Sequence, residues 1–205
     1  MAMSPHVLDH LVVAARTLEQ GVAWCEATLG VQPSAGGQHV FMGTHNRLVD
    51  ISTAHSPRAY LEIIAIDPSL PAPGRARWFE LDDAGMRQRL AAAPQLVHWA
   101  ARVDDIDAAH AAMLADGIDC GRIIDAQRGA LRWRITVRDD GRRPQGGAAP
   151  ALIQWLGPHP THALPASDVR LTSMNATRER IGVELETPRG RVALMLNGAV
   201  PSMSS

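Results

Sequence analysis

Apolar and polar residues alternate along this chain in a pattern that is laid down once and then repeated. Val7 to Ala14 (VLDHLVVA) predicts a strand in which His10 shares a face with Leu8 and Val12. Thr17 followed by Gln20 has the form of a capping box. Leu18, Val22, Cys25 and Leu29 then fall at helical spacing, and Gly30 supplies the stop. Residues 32–37, with Pro33 and the Gly36-Gly37 pair, read as a turn-rich connection. Strands are expected around 40–42 and 47–52, followed by a strongly apolar one over 60–66. The predicted order is β-α-β-β-β.

After a Pro-rich connector (67–77) and a short helix expected over 82–93, the pattern begins again. Residues 96–103 (LVHWAARV) predict a strand with His98 in the place of His10. A helix capped by Asp104 or Asp105 follows, carrying Ile106, His110, Met113 and Leu114 and ended by Gly117. Strands around 121–125, 131–138 and 151–156 complete the copy. The two histidines are 88 positions apart (10 to 98); Glu62 and Gln154, in the two closing strands, are 92 apart (62 to 154). The long loop DDGRRPQGGAAP absorbs that difference. From Gly157 onward the chain reads as a Pro-rich link, one strand over 168–175, and a hairpin of 181–186 and 191–196 across TPRG. The expected organisation is a first module over 6–74, a second over 95–157 and a C-terminal β extension over 158–205, forming one unit. That extension is expected to cover the core or a dimer surface.

Glu62 is the anomaly in this pattern. It lies within AYLEIIAID, an apolar β-branched run, where a lone ionised carboxylate is costly. A raised pKa, a cationic side chain such as Arg47 or Arg102, or a bound metal ion each satisfies it. If the repeats pack by pseudo-symmetry, His10, His98, Glu62 and Gln154 converge on one centre. Two imidazoles and a carboxylate are the donor set of a facial triad with open positions for a ligand, suited to divalent Fe, Mn, Co, Ni or Zn. A core or edge histidine is the plainer reading of either imidazole alone.

Composition narrows the chemistry. All 20 basic residues are arginine, so a lysine Schiff base, pyridoxal phosphate attachment and a P-loop lysine are excluded. Neither GxSxG nor GxGxxG follows a strand. The net charge of −1 gives no general attraction to nucleic acid or anionic membrane, and no run of 18 apolar residues is present. No signal peptide is visible at the start of the sequence, and Cys25 and Cys120 read as reduced thiols, so a cytoplasmic protein is expected.

The segments LDHLVV and GVAWCEATLGV, then Pro33, Gly36-Gly37, His39, GTHN and AYLEII, resemble the glyoxalase-like domain family of the vicinal oxygen chelate superfamily. The likeness is close over 6–67, looser in the second module and slight in the tail. It implies an α+β fold of two tandem β-α-β-β-β modules forming a cup-shaped mixed sheet. It also implies a divalent ion held by His10, Glu62 and His98 that binds two adjacent substrate oxygens, in a lyase, isomerase or dioxygenase. Gln154 departs from the second carboxylate of many active members, which weakens the case for glyoxalase-type base catalysis.

Further pocket candidates are His39 and Asn46, whose residue types also suit a turn, and Arg132 and Arg134, which form a cationic strand face able to hold a substrate carboxylate. His159 and His162, in GPHPTH, read as surface. The competing functional readings are a metal-free protein that sequesters a small ligand in the same cup, and a non-catalytic scaffold. A homodimer is expected in each case.

Overall fold

In the computed structural model, residues 7–177 and 180–197 are described. The first module runs β1 (Val7–Ala14), α1 (Leu18–Leu29), β2 (Ser34–His39), β3 (Thr44–Asp50) and β4 (Tyr60–Ile66). A connector containing α2 (Ala84–Ala92) leads to the second module: β5 (Gln95–Arg102), α3 (Ile106–Ala115), β6 (Arg122–Arg128), β7 (Leu131–Val137) and β8 (Ala151–Trp155). The eight strands form one sheet in the order β2-β3-β4-β1-β5-β8-β7-β6. The central strands β1 and β5 are antiparallel, and each pairs in parallel with the last strand of its own module. This is the α+β architecture the repeat predicts.

The caps form as the sequence directs. Thr17 Oγ1 accepts from Gln20 N, Asp105 receives the first amides of α3, and Gly30 takes the left-handed conformation that ends α1. Two expectations shift. Residues 36–37 belong to β2 rather than a turn, and Val40–Met42 is a 3-10 turn rather than a strand. That turn tips the β2–β3 hairpin, whose last pair is His39 with Thr44, and Gly43 completes it at φ 61°.

Strand register reveals the internal two-fold. His10 pairs with Ala100 and Val12 with His98; Leu8 pairs with Ala101 and Val13 with Leu96. A shift of 88 positions converts each pair into another. It also converts one β-bulge into the other: Asp9 is the extra residue between Leu8 and His10, and Val97 the extra residue between Leu96 and His98.

Two apolar layers flank the sheet. On the convex side, Leu18, Cys25 and Leu29 of α1 and Ile106 and Met113 of α3 pack with Leu11, Leu61 and Leu152. The same layer takes in the C-terminal sheet β9 (Arg170–Ala176), β10 (Arg180–Thr187) and β11 (Gly190–Asn197) through Leu171, Ile181, Val183, Leu185 and Leu196. Among the described residues the extension therefore has three strands, in the order β11-β10-β9. On the concave side, Val12, Ile64, Ala100, Ile135, Ala151 and Ile153 meet Trp78, Phe79, Leu81, Met86 and Leu90 of the connector. The connector thus fills much of the cup.

Candidate active site in the cup

Glu62 lies at the centre of the concave face, 6% exposed. Its Oε1 accepts from Asn46 Nδ2 at 2.5 Å, and His39 Nε2 lies 3.9 Å from the same oxygen. Its Oε2 faces His10 Nε2 at 3.8 Å, beyond hydrogen-bond distance. Adjacent strands bring these groups together: Glu62 is opposite Leu48 on β3 and Val12 on β1. Side chains two positions away on the same face of those strands therefore converge on it.

The bulge at Asp9 supplies the next shell. The extra residue breaks the alternation that would send Asp9 to the convex side. Fully buried, it accepts from His10 Nδ1 at 2.7 Å, from Trp155 Nε1 at 3.0 Å and from His159 Nε2 at 3.0 Å, with Arg102 Nη1 at 3.5 Å. Burial alone favours the neutral acid, but hydrogen bonds from His10 and His159, with their charges, outweigh it and hold Asp9 well below the usual carboxylate range. For His10, burial opposes the charge; the hydrogen bond and charge of Asp9, joined by the charge of Glu62, prevail and raise its pKa above the ordinary value. The Tyr60 ring stacks on His10 at 4.7 Å, and burial followed by Asp9 and Glu62 keeps its phenol protonated.

His39 is the opposite case. Burial lowers its pKa, Glu62 pulls it up, Arg128 pushes it down again, and the net value is about 4. Its Nδ1 lies 3.2 Å from Thr44 Oγ1, while Arg128 Nη1 lies 3.2 Å from its Nε2 and 3.3 Å from Asn46 Oδ1. An arginine can only donate, so this Nε2 carries the lone pair. Arg128 reaches the site from the far edge of the sheet, on β6, and closes the mouth of the cup. The Gly36-Gly37 pair makes room for it. The backbone of Gly37 donates to Asn46 Oδ1 at 2.8 Å, and a Cβ on Gly37 would meet Arg128 Cδ at 2.6 Å. As arranged, the space beside His10, Glu62 and Arg128 is about 30 Å³, room for a water, so a larger ligand enters only as a lining side chain moves aside.

Of the expected residues, His10, Glu62, His39 and Asn46 meet here. His98 also faces the concave side, but Phe79 stands against it with ring centroids 5.3 Å apart, and it lines a separate cavity of about 20 Å³. Its Nδ1 is buried without a hydrogen-bond partner among the described residues. Burial, with Arg143 adding to it, lowers its pKa to about 3. Gln154 is not at the centre. Its Oε1 accepts from Ile106 N at 3.4 Å and its Nε2 donates to the Asp104 carbonyl, so it caps α3 on the convex side. Register shows why. Glu62 pairs with Val12 and Ala151 pairs with Ala100, so the counterpart of Glu62 under the two-fold is Ala151. Arg134, opposite Gln154, forks onto Asp107 of α3 at 2.5 and 3.0 Å, and Arg132 lies exposed on the same face. Their neighbours Trp133 and Trp155 line the cup instead, because an odd offset reverses the face of a strand. His159, read from sequence as surface, is buried against Asp9.

The expected metal set of His10, Glu62 and His98 is therefore divided between two compartments. Among the described residues, no three His, Cys, Asp or Glu side chains are arranged to hold a metal ion. The donors near Glu62 are also served by a fixed cation, since Arg128 approaches the His39 Nε2 lone pair. As arranged, these residues do not fit a divalent ion. Asp9 and Arg128 were not legible as site residues: one depends on a bulge, and the other on closure between strands at opposite ends of the sheet.

No curated protein matches the chain. Among solved structures, it resembles methylmalonyl-CoA epimerase from Mycobacterium tuberculosis at 19% identity and TM-score 0.45, covering 79% of this chain and 96% of that one. It also resembles the Streptomyces coelicolor epimerase in complex with 2-nitronate-propionyl-CoA, at 19% identity and TM-score 0.44, over 74% and 97%. A hypothetical protein from Staphylococcus aureus aligns at TM-score 0.55 and 12% identity over 93% and 85%, a likeness of fold. No helix among the described residues is long and apolar enough to cross a membrane. The profile of the glyoxalase-like domain matches residues 8–183, most of the chain. With the paired modules and the cup now on view, the chain belongs to the glyoxalase-like domain family, within the vicinal oxygen chelate superfamily.

Proposed function

We propose that the cup binds a small molecule bearing adjacent oxygens, one of them anionic, and that Glu62 exchanges a proton with the carbon beside its carbonyl. The observation carrying this reading is the convergence of a buried carboxylate, a histidine biased toward its protonated form and an arginine on one enclosed space. Arg128 offers a forked donor to a carboxylate. Glu62 Oε1 is occupied by Asn46, leaving Oε2 as the atom that accepts the proton. The electron pair released from the C–H bond moves onto the carbonyl oxygen, where His10 and Arg128 stabilise it. Asp9 keeps His10 oriented and favours its charged form. Among the expected classes, an isomerase or lyase agrees with this donor set, whereas a dioxygenase needs a redox ion that the set does not fit.

Incubation with lactate, pyruvate and glycolate derivatives in D₂O, followed by proton NMR, tests it. Loss of the C–H signal is expected to persist with a chelator and to vanish in Glu62→Gln. Stoichiometric metal on elemental analysis, with exchange abolished by chelation, would restore the metal-dependent reading. Tight binding without exchange in any compound would replace catalysis with sequestration.

A further inference from the structure

Phe79 stands in the wall shared by two cavities. One wall of the Glu62 space is formed by Trp78, Phe79 and Ile135, and the same three residues line the space beside His98. The Phe79 ring stacks on Trp78 at 5.3 Å and 18°, and sits 5.3 Å from the His98 ring. Its backbone is unusual. Phe79 and Glu80 both have φ of 60°, a left-handed conformation that neither residue type prefers. Such backbone persists only when its surroundings hold it, and the holders are identifiable. Glu80 N donates to Gly141 O at 2.9 Å, and Arg143 Nη2 donates to Glu80 Oε2 at 2.9 Å. Gly141 permits this approach, because a Cβ there would lie 2.2 Å from the Arg77 carbonyl oxygen.

The walls around the ring are also incompletely satisfied. Trp78 Nε1 and His98 Nδ1 are both buried without a hydrogen-bond partner among the described residues. Buried polar atoms normally find one. A flat apolar ring thus fills a slot bounded by Trp78 and His98, with two unanswered polar atoms at its margin and the Arg128, His10 and Glu62 cluster on its far side.

We propose that the Phe79 ring is a removable plug standing in for the ring of a ligand, and that a planar aromatic anion displaces it and occupies both cavities as one site. The ligand's acidic oxygen meets Arg128 and His10, its ring takes the slot against Trp78, and a polar ring substituent answers His98 Nδ1 or Trp78 Nε1. Release of the Glu80–Arg143 latch lets residues 78–80 relax from their left-handed backbone as the plug leaves. This assignment rests on the proposed anion-binding role of the cup and names the class of ligand it takes.

Calorimetric titration of the full chain with salicylate and with glycolate tests the idea, since both carry adjacent oxygens and only salicylate carries a ring. In Phe79→Ala the ratio of salicylate to glycolate affinity should rise at least tenfold. The double variant Phe79→Ala, Arg128→Ala should lose that gain. Glu80→Gln, which keeps the ring but breaks the latch, should tighten salicylate severalfold and covers the case in which Phe79→Ala fails to fold. Salicylate affinity that stays flat or weakens in both single variants overturns the plug. Salicylate bound equally well without Arg128 also overturns it, because any hole left by a phenylalanine accepts a ring. Glycolate binding that requires Arg128, with salicylate indifferent to Phe79, removes the plug and leaves the anion-binding role intact.

Discussion

Val97 occupies in the second module the bulge that Asp9 occupies in the first. That exchange of carboxylate for alkyl is one cause of the unlike fates of the two histidines, joined by the charge of Glu62 beside His10 and of Arg143 beside His98. His10 has a partner for Nδ1 and is biased toward its protonated form; His98 has none and is held neutral. The same asymmetry extends to the closing strands, where Ala151 holds the place that Glu62 has in the first module. One half of the pseudo-symmetric cup thus retains its acid–base groups, and the other half is an aromatic and apolar wall.

Asp9→Asn is expected to lower the pKa of His10 and to destabilise the fold by about 3–5 kcal/mol, because the imidazolium and Arg102 lose a buried counter-charge. The pH dependence has a definite sign. A histidine whose folded pKa is raised contributes stability that is fully present below about pH 6.5 and lost as pH rises through the folded value. The His10 contribution to wild-type melting temperature should therefore decline as pH rises above about 6.5, and Asp9→Asn should flatten that decline. Histidine NMR titration with parallel thermal melts checks both parts. An unchanged His10 titration would falsify the role given to Asp9.

His98→Leu addresses the other imidazole. With its folded pKa lowered to about 3, wild-type His98 contributes stability above about pH 6.5 that is lost as pH falls toward 3. A leucine takes up no proton in either state. The variant should match wild type closely at pH 7 and gain about 3 kcal/mol relative to it at pH 4.5, the worth of roughly two pKa units. Urea unfolding at the two pH values measures the difference. His39, with a folded pKa of about 4, titrates in the same direction in both proteins and cancels.

Periodicity and punctuation carried the architecture: two strand–helix openings at a constant interval of 88, each helix with a legible cap, and alternation in the C-terminal strands. The site was legible where alternation holds, at His10 and Glu62, and misread where it breaks. The sequence pattern placed Gln154 level with Glu62, but pairing to the central strands aligns Ala151 instead. The loop of 139–150 carries too few constraints for its length to fix that register. Asp9 and Arg128 required knowledge of a bulge and of contact between opposite sheet edges. Trp78 and Phe79 lie in a connector whose composition said nothing of its return into the cup.

The convex-face residues give a control with the opposite expectation. Gln154→Ala removes a side-chain partner from the N-terminus of α3 and should cost about 1 kcal/mol. Arg134→Ala breaks an exposed pair with Asp107 and should be close to neutral. Neither should alter ligand affinity in the cup. A large loss of binding in either, with stability preserved, would contradict the placement of these side chains.

Gly36→Ala probes the support of the site without touching any titrating group. A Cβ on Gly36 would lie 2.1 Å from Asn46 Oδ1 and 2.4 Å from the Asn46 carbonyl oxygen. The second contact is with backbone, so β2 or β3 must move, and the cost should be about 2–3 kcal/mol. The first contact rotates the Asn46 amide away from Glu62 Oε1 and from Arg128, leaving that oxygen unanswered in a buried site. Proton exchange with the ligand should then fall more steeply than the affinity that Arg128 provides. Side-chain amide NMR of Asn46, read with the exchange rate in D₂O, separates this from general loosening. If the amide resonance stays in place while exchange falls, Asn46 is not what holds Glu62 ready to accept a proton.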